Sequence, residues 1–455
     1  MSAVPSGWAT VAIGDVVSLK TGPFGSALHK SDYVDGGVPL INPSHIRNGR
    51  LVPDPSVSVD AAAMSRLSEY RLQKSDVVMG RRGEMGRCAV VPATAAGWLC
   101  GTGSVIVRPR LAILAPFLQR FLSAPATVEK LNGDSVGSTM VNLNQSVLLG
   151  LTLDLPPLVE QQRIADKLDT VLARVDACRD RLARIAPLLK RFRQSVLAAA
   201  SSGRLTEDWR GRSAMSWAPA TVESLCASKS DGPFGSHLKS DDYVDEGARV
   251  VRLENIGHLT FDRSKETFIS MEKYSSLRRH KLQKGDLLFS SFVDEEVRVC
   301  AFPGDLGTPA INKADCFCLR VNPSACDPAF LMYRLACKTT YLALKEQVHG
   351  ATRPRVNLGQ LRRFELSLPC GEEQAEIVRR VETLFAFADR LEARLAQAQT
   401  AVDRLTPSLL AKAFRGELVP QDPADEPAAE LLKRLAASRA TPAPKTRKGR
   451  QAQTA

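Results

Sequence analysis

No apolar run in this 455-residue chain approaches the roughly 18 residues that a membrane-spanning helix needs. The opening MSAVPSGW has no basic region followed by an apolar stretch, so no secretory signal is read there and the chain is expected to stay in the cytoplasm, with no membrane partner. The ten cysteines form no CxxC pair, and the closest two, Cys316 and Cys318, alternate within a strand-like run. This favours reduced structural thiols over a zinc ribbon or a disulfide framework. Six dispersed histidines give a metal site little support, and no metal ligand is assigned. Catalytic signatures are missing as well. There is no GxxxxGK followed by Ser or Thr for a nucleoside triphosphate, and Gly101-Thr102-Gly103 precedes a strand instead of opening a helix, which marks it as a turn. Transfer of a methyl group to an amine calls for Asp or Asn before two prolines and an aromatic. The nearest strings, Asn42-Pro43-Ser44-His45, Asn322-Pro323-Ser324-Ala325 and Leu155-Pro156-Pro157-Leu158, do not fit. No catalytic residue is expected.

The chain is otherwise an ordinary globular one, 44% apolar and 24% charged, with length for two or three domains. Its net charge of +12 is spread along the whole sequence, which leaves an inert basic surface and a polyanionic partner, most simply nucleic acid, both open.

The sequence is written twice. GPFGSALHKSDYVDGG from Gly22 returns as GPFGSHLKSDDYVDEG from Gly232, and the run 72–78 returns at 282–288. Val141-Asn142-Leu143 is matched to Val356-Asn357-Leu358, Glu160-Gln161 to Glu373-Gln374, and Leu197-Ala198, Gly203 and Leu205 to Leu410-Ala411, Gly416 and Leu418. Each copy begins with short β-patterned runs, Gly and Pro turns and one apolar helical stretch, an α+β texture. Each then turns helical. Apolar or small residues alternate by four and three from Ile164 through Leu168, Val171, Val175, Cys178, Leu182, Ile185, Leu189 and Phe192 to Val196, and again from Ile377 to Leu409 by way of Leu405. Two such heptad seams of similar length are expected to pack on each other as an antiparallel coiled coil. Pro187 is expected to break the first helix, and the second is expected to break near Pro407. The first seam is roughly 50 Å long at 1.5 Å per residue, so two similar domains on such a rod could read two separated DNA half-sites. The predicted fold class is α+β, with two pseudo-symmetric globular domains separated by two long helices packed as an antiparallel coiled coil. The expected division is 1–155 and 211–368 for the globular domains, 156–210 and 369–420 for the helical regions, and 421–455 for a tail. In the tail, residues 428–438 form a short amphipathic helix and the last fifteen are disordered.

Taken together, LPPLVEQQRIADKLD and LPCGEEQAEIVRRVE after the two variable regions, GATRPRVNLGQLRRFELSLP, and the closing AKAFRGELVPQD resemble the specificity subunit of type I restriction-modification systems over almost the whole chain. The resemblance implies two target recognition domains, each reading half of a bipartite sequence in double-stranded DNA. The helical regions would set the spacer and dock two copies of a methylation subunit. It places S-adenosylmethionine in the methylation partners, ATP and magnesium in restriction partners where present, and no cofactor in this chain. A recognition subunit of another restriction type, and a coiled-coil scaffold without DNA specificity, are the alternatives.

Base readout needs side chains with paired donors or acceptors. In the first domain the loop 80–87 offers Arg81, Arg82 and Arg87 between two strands; Lys30, His45, Arg47, Asn48 and Arg50 are further candidates. The matching second loop reads Ser290-Ser291-Phe292-Val293-Asp294-Glu295-Glu296 before Arg298, so its acids either accept from cytosine or point away. Lys239, Arg252, Glu254, Asn255 and His258 accompany it. Ser138 and Thr139 in the first copy, and Arg353 and Arg355 in the second, lie in segments suited to backbone contact. Unlike loops predict unlike half-sites, hence an asymmetric target. Phe24 and Phe234 are assigned to the shared frame, and the four residues from Ala27 and from His237 to possible readout.

Overall fold

A computed structural model describes residues 4–23, 27–133, 143–211, 216–293, 295–347 and 354–440. It divides into two compact units, Met1–Arg181 with Ala398–Ala455, and Leu182–Gln397.

In the first unit the strands Val17–Thr21, Ser104–Pro109, Val77–Gly80 and Cys88–Val90 form an antiparallel sheet in that order. The central strand is buried throughout because both of its faces are covered. Val77 and Met79 enter one core with Val105, Val107 and Phe117, while Val78 enters a second with Ala89 and Ile106. This accounts for a continuous apolar run where a half-exposed strand would alternate. A second four-stranded sheet joins Leu99–Cys100, Val38–Ile41, Ser58–Val59 and Tyr33–Val34. Ala9–Ala12 pairs antiparallel with Thr152–Leu155 and ties the start of the domain to the strand that leads into the first long helix.

The second unit repeats the plan. Cys226–Ser230, Cys316–Val321, Leu287–Ser290 and Val299–Ala301 form the corresponding sheet, and Ala218–Thr221 pairs with Glu365–Leu368. Leu287 and Phe289 face one core and Leu288 the other, with Cys300, Cys316 and Cys318. Burial pushes the Cys88 and Cys300 thiols up to about 12, in keeping with inert structural cysteines. A buried carboxylate is also duplicated. Asp76 takes a two-pronged ion pair from Arg108 at 2.7 and 2.8 Å, and Asp286 takes one from Arg320 at 2.7 Å. Each also accepts a backbone N–H, from Gln73 and from Gln283, so its charge is fully engaged where the chain turns into the central strand.

The repeat fixes its own register. The Leu143 N–H donates to the Arg81 carbonyl and the Val356 N–H to the Ser291 carbonyl, while Asn144 and Asn357 each cap the following short helix. Leu143 therefore corresponds to Val356 and Asn144 to Asn357, which corrects the pairing of Val141 with Val356 by two residues. Glu160 and Glu373 then take the same place. Trp8 Nε1 donates to Glu160 at 2.9 Å and Trp217 Nε1 to Glu373 at 3.1 Å. The adjacent Gln161 and Gln374 hold the backbone of the preceding Pro and of the residue that opens the domain helix.

The long helices are Leu158–Ala183, Ile185–Ser201 and Gly371–Phe414. The first break falls at Arg184 because Pro187 has no N–H for the Ala183 carbonyl. Pro407 does not break the second helix, which runs on to Phe414. One lost hydrogen bond is outweighed there by packing of Leu410, Ala413 and Phe414 on the first unit's core, where the Phe414 ring lies 5.5 Å from both Phe117 and Phe121. The helices run antiparallel within each unit. In the first, Arg179 reaches Asp403 and Thr406, and Leu172 shares a cleft with Leu410. In the second, Arg193 reaches Asp389 and Glu392, and Arg380 reaches Asp208. The seam departs from a strict heptad. Leu172 is more buried than Val171, Cys178 is exposed, and Leu405 is 45% exposed while Thr406 turns inward, because Arg179 crosses to Thr406. The tail helix is Ala428–Ala440, anchored on the first unit's core by Ala428 and Leu435.

Candidate nucleic-acid interface

The loop 80–87 closes the hairpin Val77–Gly80 and Cys88–Val90, with Met79 opposite Cys88. Arg81 is fixed through its backbone, donating to the Gly103 carbonyl at 2.7 Å and accepting from Leu143. Its side chain leads into a cleft of about 820 Å³ that Lys20, Tyr70, Asn144 and Gln145 also line. Lys20 lies 5.2 Å over the Tyr70 ring and pairs with Glu69. Arg82 is exposed, and Arg87 pairs with Glu84 across the same loop. Gly101-Thr102-Gly103 is a turn, with Gly103 at φ 83°.

A second basic element faces another cleft. Ile46–Arg47 and Arg50–Leu51 make a hairpin whose turn, Asn48-Gly49, has φ of 49° and 71°, as a two-residue type I′ turn demands. Arg47 sits directly opposite Arg50, both exposed, and neither has a carboxylate within 4 Å among the described residues. Like charges paired across strands are unfavourable without an anion between them. The hairpin borders a cleft of about 950 Å³ with Glu84, Arg87, Arg120 and Leu172, so Arg47, Asn48 and Arg87 are brought together and Arg81 is turned to the other cleft. In the second unit the same hairpin reads Gly257-His258-Leu259-Thr260, without an arginine.

Around the second unit's loop, Arg298 is drawn inward, donating to Ser290 at 3.0 Å and to the Leu253 carbonyl at 3.3 Å. Glu296 turns toward Lys190 at 3.9 Å. Arg355 pairs with Asp315 at 3.3 Å and stacks 4.3 Å over Phe292. Arg252 lies 6.0 Å over the Tyr243 ring and 3.6 Å from Glu254. Lys313 donates to the Tyr243 hydroxyl at 2.6 Å. Lys239 is exposed.

Three sequence candidates do not present their side chains. His45 is 5% exposed, its Nδ1 placed 3.2 Å from the Asn42 N–H and 3.0 Å from the Leu40 carbonyl. Asn255, its counterpart, is 1% exposed and spends every polar atom inside, on the Arg252 N–H and the carbonyls of Asp262 and Lys265. Ser290 is fully buried. All three position their neighbours. Ser138, Thr139, Arg353 and the side chain of Lys30 lie outside the described residues. Sequence reasoning missed Lys20, Tyr70, Tyr243 and Lys313, which carry no local motif; the hairpin itself was signalled by Asn-Gly between Arg47 and Arg50.

The paired GPFGS segments are also clarified. A Cβ on Gly22 would lie 2.1 Å from the Gly101 carbonyl oxygen, and one on Gly232 2.0 Å from the Lys313 carbonyl carbon, so the glycines are required by close backbone approach. Leu238 is buried and Leu28 partly so, which places these leucines in the frame and not among the readout residues. Phe234 is 56% exposed and leaves the frame; Phe24 lies outside the described residues.

Beside Gly232, Asp231 accepts the N–H groups of Gly232 at 2.7 Å and Asp315 at 3.0 Å, yet burial, helped by the nearby Asp315 charge, pushes its carboxyl up to about 6. The native state then holds a proton that the unfolded chain, titrating near 3.8, has lost between those values. This group's contribution to stability therefore rises as pH falls from above 6 toward 4 and is absent at higher pH. Asp231→Asn keeps the accepting oxygen without the charge. Its melting temperature should exceed that of the wild type at pH 8, and the gap should narrow as pH falls below 6 and close only below the unfolded value of 3.8. A gap independent of pH would remove the buried charge as its cause.

Among the described residues no helix is long and apolar enough to cross a membrane, and no group of His, Cys, Asp and Glu is arranged to hold a metal ion.

The family profile of the type I restriction modification DNA specificity domain matches residues 5–186 and 265–399. The specificity subunit of the type I restriction enzyme EcoKI from Escherichia coli K12 is 30% identical over 460 residues, covering 96% of each chain. That of EcoBI from Escherichia coli is 34% identical over 70% of each. Among solved structures, a chain from a study of type I R-M assembly and conformational transition superposes with a TM-score of 0.70 at 20% identity, covering 92% of this chain and all of that one. The HsdS subunit of Thermoanaerobacter tengcongensis gives 0.59 at 20%, covering 92% and 99%. With two equivalent units, a profile spanning most of the sequence and end-to-end relatives, this chain belongs to the family of type I restriction-modification specificity subunits.

Proposed function

We propose that this chain reads a bipartite, asymmetric sequence in double-stranded DNA and confers that choice on methylation subunits, contributing specificity without chemistry of its own. The observation that carries the reading is one frame used twice with different rims. The strand that ends in Gly80-Arg81 in one unit ends in Ser290-Ser291 in the other, and the Arg47–Arg50 hairpin has a neutral counterpart. In this reading residues 1–155 and 211–368 are the recognition domains, 156–210 and 369–420 set the spacer and dock two methylation subunits, and 421–455 is an appendage. S-adenosylmethionine belongs to the methylation partners, and ATP and magnesium to restriction partners where the system has them. The complex works in the cytoplasm. Selection of the assembled complex on a random duplex library at physiological salt should enrich two different half-sites at one fixed spacing. Failure to enrich any sequence would leave the scaffold reading in its place.

Phosphate contacts and base contacts separate experimentally. Arg47 and Arg50, which have no carboxylate within 4 Å among the described residues, are assigned to phosphates, so replacing both with Ala should make the dependence of log K on log salt shallower by about 0.9 per arginine, without altering the selected sequence. An unchanged slope would mean that the hairpin touches no backbone.

A further inference from the structure

Single exposed apolar side chains are common on protein surfaces and ordinarily need no explanation. Phe234 is different because the chain spells its surroundings twice. GPFGS is kept in both copies, although the neighbouring rims have diverged from Arg81 to Ser291, from Arg47 to Gly257 and from Arg50 to Thr260. Packing explains Gly232, which abuts the backbone of Lys313, and Leu238, which is buried. It does not explain Phe234, which is 56% exposed and belongs to none of the hydrophobic clusters. The phenylalanine is kept in the sequence of both copies, and in the second it is not used for packing, which points to something that both half-sites share.

The setting indicates what that is. The root of the loop is bonded to residues 313–315 through Asp231 and Asp315. Those residues carry Lys313, which sits with Arg252 over the Tyr243 ring, and Asp315, which holds Arg355. Lys239 follows the loop and is exposed. Pro233 before Phe234 and Gly235 after it, at φ 50°, set the ring at the tip of a short turn. Of the acids in this neighbourhood, Asp231, Asp242, Glu254 and Asp315 are each engaged by an N–H or a cation, while Asp241 is exposed. An exposed ring on a turn whose root lies against the segment that carries Lys313 is suited to nucleic acid, where apolar side chains wedge between base steps and unstack them. Every base presents a π-face, so a wedge does not depend on sequence. One letter can then serve two domains that read different words.

We infer that Phe234 is an apolar wedge that enters the base stack of the half-site read by the second unit and assists extrusion of the base on which the methylation partner acts. The inference rests on the DNA reading above, since a base must leave the stack before chemistry on it can proceed.

The test uses the full chain assembled with its methylation subunits. Phe234→Ala and Phe234→Trp are compared with wild type on a duplex bearing the selected target, with methyl transfer to each half-site followed separately. Phe234→Ala should slow transfer at the second half-site on the order of ten- to a hundredfold. The first half-site should stay within about twofold, as only one wedge is removed. The selected sequence should not change, and Phe234→Trp should restore the rate. Unchanged rates at both half-sites would mean that the ring is merely solvated, and failure of Phe234→Ala to assemble would mean that it docks the methylation subunit; either overturns the wedge. A wild-type complex without sequence preference would instead defeat the DNA reading itself.

Discussion

Replacing Arg81, Arg82 and Arg87 with Ala is expected to erase selection in one half of the target and leave the other half as it was. Alanine at position 81 keeps both backbone bonds, to Gly103 and from Leu143, so the hairpin stands while its guanidinium groups are removed. Each bidentate contact to a base is worth about 1–3 kcal/mol of discrimination. The triple variant should therefore accept many sequences in the first half-site, at rates approaching those for the wild-type word. The second unit has its own sheet, its own core and its own rim, with Phe292, Arg355 and Asp315 in place of these arginines. Mapping methylated positions genome-wide in cells that express the variant with its partners checks this. Equal relaxation in both halves would contradict two independent readers.

The second large effect concerns spacing. Arg179 reaches Asp403 in one unit and Arg193 reaches Asp389 in the other, and counting residues along the sequence from either pair matches position 184 with position 398. Seven residues inserted at both positions keep the seam in register and add roughly 10 Å of helix at 1.5 Å per residue. DNA rises 3.4 Å per base pair along each strand. The unspecified spacer should therefore lengthen by about three base pairs, with both half-site words intact. A single insertion, in one helix only, would set Arg179 or Arg193 against the wrong carboxylates and should destabilise the complex. A paired insertion that changed a half-site word, or left the spacer as it was, would show that the helices do not set the distance.

Much of this architecture was legible in the sequence because it is periodic. Heptads marked both long helical regions, and the repeated GPFGS and Glu-Gln phrases marked the duplication. Local detail was lost where the period is only approximate. An α-helix of 3.6 residues per turn drifts against a seven-residue repeat, which is how Leu172 supplants Val171 and Thr406 supplants Leu405 at the interface. Pro407 read as a stop because a sequence does not show the aromatic packing of Phe414 that carries the helix past it. The site was less legible for a related reason. His45 and Asn255 have the side chains of DNA readers, but each is enclosed as the brace of a 3₁₀ turn. Trp8 and Glu160 stand 152 residues apart, and only the folded chain brings them together.

The most direct measurement is the genome-wide map of methylated bases in cells producing this chain with its methylation subunits, against cells lacking it. Two unlike half-site words at one invariant spacing, methylated only when the chain is present, are the result expected here. A palindromic or uninterrupted motif, or methylation that does not depend on the chain, would contradict it.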